Sequence, residues 1–361
     1  MKQFFSFVHK EFYHIFRDSR TMLILLLMPV ALMILFGFAI TTEVKNTRVA
    51  VLDESKDELT RQIVERFAAN NYFTITHSVE SATELDQLFK AGQIDMALCF
   101  NEDFSSMREP AIQLLCDGLE PNQASIRSGY TMQVLQAFAQ EHIQRAPQGI
   151  RVNTRMLYNP QLKSEYNFVP GVIGMIIILL CTLMTSISIV REKEMGTMEV
   201  LLASPLPPLY IVLAKLVPYF VISVINLITI LLLSKFLLGI PVAGSLVAFL
   251  GVSLIYILVA LALGLLISTL VSTQLVAMLL SVLMIIPTIY FSGMIFPVES
   301  MPISVQKVSM IVPARWYIDA TRKLMIQGVE THYVIKDAVV LVVELFVLLT
   351  VSLKLFKIRL Q

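Results

Sequence analysis

Few residues in this chain have the type and spacing that chemistry requires. The five histidines, His9, His14, His77, His142 and His332, form no HExxH pair and no pair at i,i+3 or i,i+4, so a metal site is unsupported. No GxSxG occurs, and no Ser/His/Asp set can be assembled. GIPVAGSL at 239–246 has glycines at the P-loop spacing, but it lacks the Lys–Ser/Thr that grips phosphate. Asp53 follows TRVAVL without a glycine-rich turn, so helix capping by Asp53 or Ser55 is favoured over a nucleotide-binding acid. No catalytic, metal-ligating or cofactor-binding residue is assigned. Nothing here can hydrolyse ATP, and an energy source, if one is needed, must come from elsewhere.

What remains is polar chemistry inside apolar runs. Glu344 sits in AVVLVVELFVLL, where it could join a proton relay or meet a cationic substrate; facing a bundle interior, protonated or hydrogen-bonded, is the weightier reading. Asn226 reads as a hydrogen-bonding link between helices rather than a ligand. Lys215 and Lys235 stand near the ends of an apolar run, where snorkelling is expected. Pro29, Pro218 and Pro287 interrupt three runs that neighbouring helices can stabilise.

The elements that must position these residues are membrane spans. The chain has 361 residues, 56% hydrophobic and 15% charged, and its mean hydropathy is +0.73. Soluble domains carry about 25% charged residues. The net charge of +1 argues against nucleic acid as a partner. A span needs about 20 apolar residues, and six windows qualify: 22–42, 168–190, 209–234, 245–268, 273–295 and 338–356. The first reads as a retained anchor, since no convincing cleavage site follows it. Lys and Arg before span one, after span two and in the tail KLFKIRLQ place both termini in the cytoplasm of a multi-pass membrane protein. Lys307, Arg315, Arg322, Lys323 and Lys336, between spans five and six, resist that reading.

Residues 43–167 differ in kind, with 12 Lys/Arg, 17 Asp/Glu and no run long enough to span. TRVAVLDES, ELTRQIVERFAAN, YFTITHS, ATELDQLFKAG and IDMALCF alternate β-branched and helical segments, as βα units on a sheet do. The six-span count places this α/β domain outside the cytoplasm. A Cys99–Cys116 bridge is compatible with that compartment, although two small buried residues are favoured. Residues 1–21 alternate Phe4, Phe5, Phe7, Phe12 and Phe16 with charges, as an interfacial amphipathic helix would.

The stretch REKEMGTMEVLLASP at 191–205 carries five charges in its first nine residues, directly after one span and shortly before the next. Met195, Met198, Leu201 and Leu202 share a helical face, and Ser204-Pro205 ends the pattern. The expected element is a short cytoplasmic amphipathic helix able to pass a push from a partner to two spans at once.

This stretch resembles the signature of ABC-2 type transporter permeases, through Glu192, Glu194, Gly196, Thr197, Glu199, Leu201, Leu202, Ser204 and Pro205. KEFYHIFRDSRTMLILLLMPV, YNP at 158–160, and FSGMIFPVESMP with the following PARW extend the resemblance along the chain. It implies an α-helical polytopic membrane protein of six transmembrane helices, with the 43–167 domain inserted between helices 1 and 2 and helices 2–6 in 168–361. It implies no enzyme in this chain, ATP and Mg being bound by a separate ATP-binding cassette subunit. A second copy or a paralogous permease would complete a dimer in the lipid bilayer, and a periplasmic adaptor could join it. Glu192, Glu194 and Glu199 would meet basic or polar groups of the ATPase. Short external helices over 296–315, with Gly293, Pro297 and Pro302 as breakers, would gate the pathway. The implied function is ATP-driven export of a hydrophobic or amphiphilic, drug-like or lipid-linked cargo. The rival is a mechanotransmission or assembly subunit whose outer domain works on a periplasmic partner.

Overall fold

The structure, a computed structural model, describes residues 2–39, 47–102, 104–106, 111–117, 121–142, 165–197 and 207–358. The chain divides into two compact units, Thr42–Pro160 and Met1–Thr41 with Gln161–Gln361.

The Thr42–Pro160 unit is built on a four-stranded sheet. Its elements are β1 (Thr47–Asp53), α3 (Glu58–Ala68), β2 (Phe73–Val79), α4 (Ala82–Lys90), β3 (Met96–Phe100), β4 (Ile112–Cys116) and α5 (Pro121–His142). The strand order is β2-β1-β3-β4, with β1 parallel to β2 and β3, and β4 antiparallel to β3. MALCF in β3 is buried throughout, as a strand covered on both faces must be. On one face Val49, Val51, Met96 and Leu98 pack with Ile63 and Phe67 of α3 and Phe138 of α5. On the other, Ala50, Leu52, Ala97 and Cys99 pack with Leu85 of α4.

Helix α3 starts where Asp57 Oδ1 accepts the Thr60 N–H at 2.8 Å, and α4 where Ser81 Oγ accepts the Glu84 N–H at 3.3 Å. The cap of α3 is therefore Asp57. Asp53 instead accepts the N–H groups of Ser55 (3.1 Å) and Lys56 (2.9 Å) in a turn, and Ser55 donates to Asp57 at 2.7 Å. Asp95, just before β3, accepts from the Arg48 backbone N–H and from Nε and Nη2 of its guanidinium, while Nη1 donates to the Gly92 carbonyl, with Arg127 of α5 at 3.5 Å. Cys99 opposes Gln113 while Cys116 opposes Met96, and the two cysteines pack on opposite faces of the sheet. Both are free thiols, and a bridge needs two sulfurs on one face.

The helical unit contains α1 (Lys2–Arg17), α2 (Ser19–Ala39), α6 (Glu165–Glu194), α7 (Pro208–Phe236), α8 (Leu246–Leu270), α9 (Gln274–Leu283), α10 (Ile285–Phe291), α11 (Ile303–Ser309), α12 (Pro313–Arg322) and α13 (Ile335–Ile358). Among the described residues, five segments are long and apolar enough to cross a membrane: Phe168–Glu194, Tyr210–Phe236, Leu246–Leu270, Gln274–Phe291 and Thr331–Leu355. The first window of the sequence reading falls on α2, a 21-residue helix whose apolar stretch within the described residues is Leu25–Phe36. The segment Gln274–Phe291 is two helices, because Pro287 has no N–H with which to continue the ladder from α9.

Helix α6 is the hub, with most of its span buried, whereas few residues of Gln274–Phe291 and Thr331–Leu355 are buried. It approaches α8 closely at Gly264, where a Cβ would lie 2.7 Å from the Thr182 carbonyl oxygen. The interior is polar in places. Tyr256 stacks on Tyr317 at 4.1 Å, the Tyr256 hydroxyl donates to the Gly174 carbonyl, and Tyr317 hydrogen-bonds Ser253.

Candidate functional site

The charged stretch begins on α6 itself. That helix runs unbroken through Arg191–Glu194, and Gly196, at φ 73°, ends it in the left-handed region that favours glycine. The expected separate helix over 191–205 is thus corrected at its start. Glu192 and Glu194 stand on the last turn of a span, beyond which Met195 and Thr197 are exposed. Glu199, Leu202, Ser204 and Pro205 lie outside the described residues.

Three consecutive side chains splice this turn to other helices. Glu192 Oε1 accepts from Lys215 Nζ of α7 at 2.6 Å, and the same ammonium lies 3.3 Å from Glu11 Oε2 of α1. Lys193 donates to the Ser268 carbonyl, near the end of α8. Glu194 Oε2 accepts from the backbone N–H (3.1 Å) and side-chain amide (2.8 Å) of Gln274, the first residue of α9. The signs suit the helix ends: a cation meets the orphan carbonyls of one terminus, and an anion the orphan N–H groups of the other. A displacement of this turn reaches α1, α7, α8 and α9 together.

Lys215 does not snorkel. Its side chain is 4% exposed, that of Glu11 9% and that of Glu192 18%, and two carboxylates compensate the buried ammonium. Lys235, at the other end of α7, is exposed over the Phe236 ring, as a snorkelling lysine would be. The signal missed in the sequence is Lys215 itself: a lysine inside an apolar run needs carboxylates, and acids flank it on the neighbouring segments. A cavity of about 590 Å³ adjoins the triad, between Glu11, Ile15 and Asp18 on one side and Ser188, Arg191 and Tyr219 on the other.

The remaining sequence candidates lie elsewhere. Asn226 donates to the Leu25 carbonyl of α2 at 3.2 Å, linking α7 to α2. Glu344 has both carboxyl oxygens shielded, with no hydrogen-bond partner among the described residues. Met294 packs on Gly171, near the start of α6, so about 30 Å of helix at 1.5 Å per residue separates the 293–302 segment from Glu192. Gly293 takes φ 82°, and its carbonyl accepts from Arg322 at 3.0 Å. Pro297 precedes a 3-10 turn at Val298–Ser300, and Pro302 precedes α11. Short helices with breakers thus occupy 296–315. Their cations are held by the chain's own acceptors: Arg315 by the Gln306 carbonyl and Ser309, Lys323 by Asp319 at 2.7 Å and Asp337 at 2.8 Å.

Residues 20–354 match the family described as ABC-2 family transporter protein. The chain belongs to that family. It is 31% identical to the Escherichia coli protein "Probable multidrug ABC transporter permease YbhS" over 329 residues, 88% of this chain and 87% of the relative. It is 32% identical to "Probable multidrug ABC transporter permease YbhR" of the same organism over 328 residues, 89% of each chain. "Inner membrane transport permease YhhJ" is 26% identical over 292 residues, 78% of this chain and 77% of that protein. The ABC-2 chain is accordingly a multi-pass membrane protein and a transporter permease. Its family implies an ATP-binding cassette partner and pairing of permeases.

Proposed function

We propose that this chain is the permease subunit of an ATP-driven exporter, moving a hydrophobic or amphiphilic cargo, drug-like or lipid-linked, out of the cytoplasm or inner leaflet. The observation that carries the reading is the end of α6, where Glu192, Lys193 and Glu194 tie α1, α7, α8 and α9 to one exposed turn. A motor docked there moves the walls of the bundle as a unit. The permease carries no ATP-binding motif, so the motor is a separate ATP-binding cassette subunit, and two permeases, identical or paralogous, face each other in the inner membrane. Both termini and the α6 end are cytoplasmic, six spans cross the bilayer, and the Thr42–Pro160 unit is extracytoplasmic. The short helices of 296–315 then close the pathway from outside. ATP drives the cycle only if nucleotide favours one arrangement of the helices over another.

The test is ATP-dependent movement of a lipophilic fluorescent dye into inverted membrane vesicles containing the permease and the ATPase that co-purifies with it. Dye uptake that requires ATP, and that disappears in Glu194→Lys together with ATPase retention, supports the reading. ATP turnover without dye movement, or Glu194→Lys vesicles that transport as well as wild type, contradicts it.

A further inference from the structure

Lys215 carries one positive charge between a buried carboxylate, Glu11, and a half-buried one, Glu192, so the triad as a whole is one negative charge in excess. Losing one arm leaves neither partner stranded. Glu11 Oε1 already lies 3.8 Å from Lys10 Nζ, which is exposed, so a released Glu11 keeps a cation on its own helix. Glu192 Oε2 has no hydrogen-bond partner among the described residues, so it can take the N–H that Lys215 frees. Room for motion exists as well: the 590 Å³ cavity lies between α1 and the α6–α7 pair, so Glu11 and Ile15 border open space, and Ile15 packs in a small cluster with Leu25, Ile222, Met22, Met184 and Tyr219. The α6 arm lacks that freedom, because Lys193 and Glu194 fasten it to α8 and α9.

We propose that Lys215 is a two-position latch for α1, closed when it holds both carboxylates and open when Glu11 has swung to Lys10 while the Glu192 pair persists. Lys215 and Glu11 are then positioning residues, and α1 is the element that moves relative to the α6–α7 pair when the partner changes state. The latch rests on the exporter reading for its purpose, but its two positions belong to this chain alone. A buried cluster that only held the fold would be replaceable by well-packed apolar side chains with transport kept; in a latch the same replacement restores stability but removes the second position, and transport with it.

The experiment uses the full chain in lipid nanodiscs, with Cys99, Cys116 and Cys181 replaced and spin labels at Tyr13→Cys on α1 and Leu232→Cys on α7, both exposed positions. Three variants are compared with wild type: Glu11→Gln; the double swap Lys215→Glu with Glu192→Lys, which keeps one arm and sets two acids against each other in the second; and that swap with Glu11→Lys, which restores both arms reversed. The latch predicts one dominant distance in wild type and in the full reversal, and a second, longer population in Glu11→Gln and in the double swap. In the complex, dye transport falls on the order of tenfold in Glu11→Gln with partner binding retained, and the full reversal recovers it. Identical distance distributions in wild type and Glu11→Gln overturn the latch, whether or not either swap folds. A wild-type complex that fails to transport counts against the exporter reading, and the distance comparison still decides the latch.

Discussion

At the scale of single residues, the decisive feature is an ammonium group that the apolar run of α7 cannot hold unaided. Lys215 is buried because Glu11 and Glu192 converge on it from two other helices. Lys215→Met leaves Glu192 without its cation and Glu11 with Lys10 alone, and the thermal midpoint of the purified chain should fall by an amount corresponding to about 3–5 kcal/mol. A triple change that also makes positions 11 and 192 Leu should recover most of that loss. Asp57 offers a pH-dependent counterpart. Partial burial alone would raise its pKa, but hydrogen bonds from Thr60, Ser55 and Ser105 outweigh this and hold the carboxylate well below the usual range. A depressed carboxylate stabilises the fold above its unfolded pKa of about 4 and stops doing so as the pH falls through its folded value. Amide exchange over residues 58–68 in the full chain should be faster in Asp57→Ala by the equivalent of about 1 kcal/mol at pH 7. The two proteins should converge as the medium becomes strongly acidic. The residue types at these sites were legible in the sequence; their partners were not, since Glu11 and Lys215 stand 204 positions apart and Asp57 outcompetes Asp53 through one local turn.

At the scale of elements, the run lengths announced the helices, and individual glycines and prolines set the ends. The stretch at 191–205 read as one amphipathic piece because its apolar spacing is helical. Yet α6 carries straight through Glu194 and stops at Gly196, since only a residue tolerant of φ 73° can turn there. Gly196→Val should extend or distort that end and cost about 1–2 kcal/mol. The close approach of α6 and α8 makes a similar demand. A side chain at position 264 meets the Thr182 carbonyl at 2.7 Å and Thr185 Cβ at 2.8 Å, so Gly264→Leu should lower stability by roughly 1–3 kcal/mol or more. A melting curve within a degree of wild type would show that the helices can part without loss. Period-two and helical alternation in 43–167 foretold strands and helices; the order β2-β1-β3-β4 depends on long-range pairing that periodicity does not encode.

For the whole molecule, two independent units and a family membership spanning residues 20–354 give the frame. The cations between the last two spans, which opposed the six-span reading, are largely engaged by the chain's own carbonyls and carboxylates. Charge counting along a loop takes no account of such pairing. The central claim is that the end of α6 faces the cytoplasm and receives force from a motor there. Met195, 61% exposed on that turn, reports on it directly. In a cysteine-free background, Met195→Cys should react with a membrane-impermeant maleimide in inverted vesicles and not in intact cells, and bound ATPase should slow the reaction. Labelling from outside intact cells, at the rate seen in inverted vesicles, would put the junction on the face where no ATP-driven partner can reach it.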